Sequence, residues 1–150
     1  RQVYNTTIAG SAHCILTKTN SGGAASAWGY GLRTGSGGNT YMEVGNGTTS
    51  VTSPSYNVSL TTWYQIVGVW SMTPSKTIEL FVNGVSQGSN SHTFTSVKDT
   101  AGVVSIGAYN GGEYSQYFDG RMGPVRMYSK ALTAAEILQN FNANKMTYGL

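Results

Sequence analysis

The sequence predicts an all-β protein, an antiparallel β-sandwich closed by one short C-terminal helix. Three observations carry the prediction. Apolar and polar residues alternate with period two through seven or so short segments, the signature of strands with one buried face. Clusters of Gly, Ser, Thr and Asn separate these segments at roughly 8–12-residue intervals, as in sandwiches and barrels. Past residue 129 the period changes from that of a strand to that of a helix.

Each element has its own justification. AHCILTK (12–18) reads as a strand, followed by a flexible TNSGGAASA loop. WGYGLRT (28–34) is a second strand and GSGGN a turn; TYMEVGN (40–46) is a third, sending Tyr41 and Glu43 to one face and Met42 and Val44 to the other. After a Ser/Thr/Pro loop, WYQIVGVWS (63–71) is the strongest strand, and Trp63, Trp70 and Phe81 are expected in the core. TIELFVNGVSQGS (77–89) alternates through Ile78, Leu80 and Val82 into Asn83-Gly84, a hairpin dipeptide whose two residues tolerate positive φ. AGVVSIGAY (101–109) and FDGRMGPVRMYS (118–129) are the last strands, the second placed at an edge or bulge because Pro124 cannot donate to a ladder. Thr133 followed by Glu136 is a capping box, and Ile137, Leu138 and Phe141 form the apolar stripe of the helix it starts.

Composition bounds the function. A chain of 150 residues with 39% hydrophobic content builds one core without a disulfide or metal. Only 10% of residues are charged, against about 25% in a typical soluble domain, so the surface is neutral and polar. The net charge of +3 comes from nine scattered basic residues with no run, which excludes a nucleic-acid groove. No apolar stretch reaches the ~18 residues of a membrane helix, so membrane insertion is not expected. The single cysteine, Cys14, lies in an apolar run and reads as a small buried hydrophobe. Three N-x-S/T sequons, at Asn5, Asn46 and Asn57, are weak signs of a secretory origin.

Read in order, W63-Y64-x-x-V67-x-V69, I78-x-L80-x-V82-N83-G84, S105-I106-G107, F118-D119-G120-x-M122, V125-R126-M127-Y128 and A131-L132-T133-x-x-E136-I137 resemble the LamG-like, concanavalin A-like lectin/glucanase superfamily. The likeness runs from about residue 12 to 142 and is densest from 63 onward. It implies a jelly-roll sandwich with one concave and one convex sheet. Family members usually open with a strand of which RQVYNTTIAG is only a remnant, so residues 1–150 are expected to be one domain, the C-terminal part of a longer chain lacking its first strand. The family often carries an acidic pair, part of a calcium site in some relatives, where this chain has Gly123-Pro124, which counts against calcium; Asp119 is read first as a turn residue before Gly120, with calcium ligation as the alternative. The ending NFNANKMTYGL resembles the C-termini of such modules in phage and other viral structural proteins.

Glycoside hydrolysis needs two carboxylates flanking the scissile bond. The six acidic residues, Glu43, Glu79, Asp99, Glu113, Asp119 and Glu136, stand no closer than six apart, and no E-x-D-x-x-E cluster of the catalytic relatives appears. His13 and His92 have no nucleophile pattern beside them, and His92 is expected in an exposed polar loop. A hydrolase is therefore the third reading. The first is a non-catalytic lectin-like module on an extracellular or virion surface, whose partner is a polysaccharide or glycan surface. The second is a structural module contacting other subunits of a virion or appendage.

Sugar recognition takes flat aromatic faces and planar polar groups. In lectin-like sandwiches the ligand usually lies on the concave sheet or in end loops. Two groups of residues offer such faces. Trp28, Tyr30 and Arg33 alternate with Gly29 and Gly31 and are expected on one sheet face, while Tyr109, Asn110, Glu113, Tyr114 and Tyr117 share a Gly-rich loop. Each tyrosine equally suits an edge cover or a subunit contact.

Overall fold

The computed structural model describes residues 2–5, 13–20, 28–59, 62–110, 114–115 and 117–150. In chain order the strands are β1 (Gln2–Asn5), β2 (His13–Thr19), β3 (Trp28–Thr34), β4 (Asn39–Gly45), β5 (Ser50–Thr52), β6 (Tyr56–Asn57), β7 (Trp63–Ser71), β8 (Thr77–Val82), β9 (Val85–Ser91), β10 (Val104–Ile106), β11 (Tyr109–Asn110), β12 (Tyr114–Ser115) and β13 (Gly120–Met122). One helix, α1 (Ala134–Asn144), follows, with a short 3₁₀ turn at Lys145–Tyr148. Five strands form one sheet in the order β13-β1-β7-β8-β9. A second sheet runs β10-β2-β3-β4-β5, with β6 also pairing to β4, and β11-β12 form a separate hairpin. All pairings are antiparallel.

The core lies between the two sheets. Ile15 and Leu32 of one pack against Tyr64, Ile66, Leu80 and Val82 of the other, with Met42 against the cluster. Burial of each such side chain is worth about 1.5–3 kcal/mol. Gly68 on β7 sets the closest approach between the layers, because a Cβ there would stand 2.5 Å from the Met42 sulfur. Trp70 is half-buried and stacks on His92, ring centroids 3.7 Å apart and 10° from parallel. His92 is thus buried rather than exposed, and its Nε2–H donates to the Ser71 carbonyl at 3.0 Å. The polar sequence around it concealed an aromatic partner twenty-two residues earlier.

The predicted hairpin forms at Asn83-Gly84, with φ of 52° and 79°. The capping box is complete: Glu136 N–H donates to the Thr133 hydroxyl, and Thr133 N–H donates to the Glu136 carboxylate at 2.8 Å. Lys130 adds an ion pair to Glu136, and together these hydrogen bonds lower its pKa to about 2, the Lys130 contact most. Ile137 is buried, whereas Leu138 is 45% exposed. Among the described residues the alternation at 118–129 gives a ladder at Gly120–Met122, where β13 pairs with β1, and beyond Met122 no described strand pairs with the segment. Among the described residues no helix is long and apolar enough to cross a membrane.

Candidate functional site

The six-stranded sheet has an inner face, carrying Leu32 into the core, and an outer face. Cys14, Arg33 and Tyr41 stand opposite one another across β2, β3 and β4, as do Thr17, Gly31, Glu43 and Thr52 one row along to β5. Alternation places both rows on the outer face, opposite in direction to Leu32. Trp28 joins them by a bulge. Lys18 pairs with Tyr30 and Thr19 with Trp28, so Gly29 is an extra residue on β3. The bulge reverses the parity, sending Trp28 outward beside Arg33 and leaving Tyr30 on the inner side.

Tyr30 therefore does not share a face with Trp28 and Arg33, contrary to the reading of the sequence. A Cβ on Gly31 would lie 3.3 Å from Cζ3 of Trp28, so the missing side chain makes room for the indole. The Arg33 guanidinium carbon sits 4.4 Å from the Trp28 ring centroid, and Arg33 Nη1 donates to Glu43 at 2.9 Å. The other Glu43 oxygen accepts from Ser50 Oγ at 2.8 Å. The two charged side chains are 13% and 12% exposed, enough burial for an effective pair but still within reach of solvent.

Tyr109 closes this cluster from above. The chain turns at Gly107, and Thr17 on the outer face donates to the Ala108 carbonyl at 3.3 Å. Tyr109 then packs with Cys14 and Trp28, its ring 5.6 Å from the indole and tilted 32°. Trp28 and Tyr109 are 3% and 8% exposed, so their faces are spent on each other rather than offered to solvent.

Tyr117 lies apart, exposed, its carbonyl accepting from His13 Nδ1 at 2.7 Å. Asn110 and Tyr114 are register partners in the β11-β12 hairpin, and Glu113 lies outside the described residues. Next to β3, β4 and β5 carry Tyr41, Glu43 and Ser50 beside Arg33, all four partly buried. Tyr41, Glu43 and Ser50 were not singled out from sequence. The alternation in 40–46 gave the shared face of the first two, but not that Arg33 stands beside them.

Electrostatics couple the group. Burial works against the Arg33 charge, yet the Tyr41 and Glu43 oxygens outweigh it and raise its pKa. Burial raises the Tyr41 phenol above its ordinary value, with Arg33 pulling the other way. Burial likewise raises the Cys14 thiol, again opposed by Arg33. Asp119 is exposed, and among the described residues no three His, Cys, Asp or Glu side chains converge. Calcium takes six to eight oxygens, chiefly carboxylates, so the described acidic side chains do not supply its shell.

Comparison with known proteins places this architecture. The carbohydrate-binding module of a Ruminococcus gnavus sialidase (CBM40) superposes with a TM-score of 0.75 at 18% identity, over 93% of this chain and 79% of that one. The same module solved with α2,3-sialyllactose gives 0.72 at 16% identity, over 93% and 79%. A heptameric pentraxin from Limulus polyphemus gives 0.65 at 17% identity, over 91% of this chain and 65% of that one. Among curated proteins no sequence match is found. A family model described as the concanavalin A-like lectin/glucanases superfamily, of laminin G type, matches residues 3–138. With two antiparallel sheets and a C-terminal helix in place, the chain belongs to the concanavalin A-like lectin/glucanase superfamily.

Proposed function

We propose that this domain is a non-catalytic, lectin-like module that binds glycan on the outer face of its six-stranded sheet, beside Arg33, Tyr41 and Glu43. The carrying observation is the Arg33–Glu43 pair, held at 2.9 Å and partly open to solvent. A guanidinium fork and a carboxylate fixed side by side match the donors and acceptors of neighbouring sugar hydroxyls. The half-buried Tyr41 ring adds an apolar surface for sugar C–H groups. Because the pair is charge-compensated, the site favours neutral hydroxyl patterns over an isolated anion. A CBM40 structure of the same fold holds sialyllactose, which supports carbohydrate as the ligand class.

The non-catalytic reading rests on the same residues. Glu43 is the one acidic residue on the strands of this sheet, and both of its oxygens are engaged. A retaining or inverting glycosidase needs a second carboxylate across the bond. We place the domain outside the cell, at a polysaccharide surface or in a virion or appendage that meets one.

Titration with lactose and α2,3-sialyllactose, followed by backbone amide shifts, tests this reading. The expected result is perturbation at residues 33, 41 and 43, at least as strong for lactose, and loss of both in Tyr41→Ala with the fold retained by circular dichroism. Shifts confined to other surfaces, or an unaltered Tyr41→Ala titration, would overturn the assignment.

A further inference from the structure

A cavity of about 320 Å³ lies between β7 and residues 126–132, and it is independent of the glycan face. Leu16, Leu32 and Met42 of the six-stranded sheet bound it on one side, Val69 and Ile137 on the other. Protein interiors are packed to near-crystal density, and an empty cavity costs stability in proportion to its volume. Engineered cavities of about 150 Å³ already hold benzene, so this one has room for a molecule of about two rings. It also reaches the lower end of the range of ligand pockets, about 300 Å³.

The lining suits an aromatic body. Tyr30, carried on the inner side of its sheet, contributes a ring, as do Trp70 and Tyr128. Aromatic groups gain from offset or edge-on contact with such rings beyond the area they bury. Met42 and Met127 add flexible, polarizable thioethers, which pack well against ring edges. Met127 and Tyr128 are 58% and 50% exposed, so they form the mouth through which an occupant enters and which it then covers.

One polar group in the lining lacks a partner. Gln65 is 2% exposed, and its backbone is satisfied: the carbonyl accepts from Asn83 N–H and the N–H donates to the Asn83 side chain. Its side-chain Oε1 is buried and accepts from nothing among the described residues. A buried acceptor in that state has lost its hydration with no hydrogen bond in return. The terminal amide torsion of glutamine is soft, so a small turn presents Oε1 to the cavity that Gln65 lines. The two charged residues of the lining sit at the rim, Lys130 paired with Glu136 and Arg126 exposed to solvent. The interior therefore suits a neutral occupant.

We propose that this cavity is a second binding site, for a small neutral aromatic molecule that carries one hydrogen-bond donor, of the phenol or indole class. Its ring lies among Tyr30, Trp70 and the two methionines, and its O–H or N–H donates to Gln65 Oε1. The orphaned acceptor selects this class over a plain hydrocarbon, which would leave Gln65 as unsatisfied as before.

Indole and N-methylindole, which share a ring system but not the N–H, separate the two halves of the proposal. Added to the whole chain, indole is expected to shift the backbone amides of Gly68, Val69 and Ile137 and to bind at least about fivefold more tightly than N-methylindole. In Gln65→Leu, which keeps the backbone bonds to Asn83, N-methylindole is expected to bind as before and indole to lose its advantage. Leu132→Trp, which fills the cavity, is expected to abolish binding of both without lowering Tm. Equal affinities in the parent, or an undiminished preference for indole in Gln65→Leu, would overturn the role of Gln65. Failure of both compounds to bind would overturn the site, and a chain that then sediments as a dimer would give the cavity to a second copy instead.

Discussion

The guanidinium of Arg33 lies over the indole of Trp28, 4.4 Å from its centroid, although the two residues are an odd number apart on one strand. Only the extra residue at Gly29 allows it. The stacking leaves the carboxylate of Glu43 dependent on Arg33 for its counter-charge. Arg33→Met is expected to cost about 3 kcal/mol, the low end for breaking a buried pair. Arg33→Met combined with Glu43→Leu is expected to recover to within about 1 kcal/mol of the parent, because no buried charge then remains. Urea denaturation of the three proteins measures this. A double variant as unstable as the single would show that packing against Trp28, rather than charge, dominates.

Cys14 is fully buried and its thiol pKa is raised, so little thiolate exists at pH 8 and none of it is accessible. Modification by an aromatic disulfide reagent is expected to run at least about a hundredfold slower than in urea, at the rate of local opening. Rapid native labelling would contradict the packing of Tyr109 and Trp28 over this thiol.

The capping box gives a pH dependence with a definite sign. The Glu136 pKa is lowered to about 2 from an ordinary 4.5. Its contribution is fully present above about pH 4.5 and is lost as pH falls through about 2. The stability gap between the parent and Glu136→Gln should therefore be widest at pH 6 and close by pH 2 in denaturant titrations. Thr133→Ala should cost about 1 kcal/mol at neutral pH.

Two glycines with similar backbones separate strain from contact. Gly37 and Gly84 have φ of 78° and 79°, but a Cβ on Gly37 meets nothing within 4 Å, whereas one on Gly84 would stand 3.0 Å from Leu138 and 3.3 Å from Phe141. Gly37→Ala is expected to cost about 1 kcal/mol, the left-handed penalty alone. Gly84→Ala should cost about 1 kcal/mol more. Equal costs, read from thermal melts, would mean that the helix yields freely.

What the sequence conveyed is governed by the range of the physics involved. The hairpin at Asn83-Gly84, the cap at Thr133 and Glu136, and β7 are set by neighbours a few residues away, and each forms as read. Tyr30 lies on the opposite face from Arg33 by plain alternation, since the two are three apart, whereas Trp28 joins Arg33 through a bulge at Gly29 that leaves no mark in the sequence. His92 looked exposed because its stacking partner, Trp70, belongs to another strand. The segment at 118–129 has strand alternation throughout, but a ladder needs a partner, and β1 reaches only Met122. Of the candidate site, Trp28, Arg33 and Tyr109 converge, while the partly buried partners, Tyr41 and Glu43, emerge only once β3 and β4 are laid side by side.

The pairing of β1 with both β7 and β13 has a consequence for synthesis. Val3 meets its second partner, Met122, only after more than a hundred further residues have been made. At roughly 5–20 residues per second, the first strand waits on the order of ten seconds with one or both edges open. Long-range closure of this kind is slow, and an edge left open is prone to pairing with the wrong chain. The last third of the molecule therefore acts on the first as a lock that arrives late, and protection of nascent β1 during that interval falls to whatever chaperone or neighbouring segment is at hand.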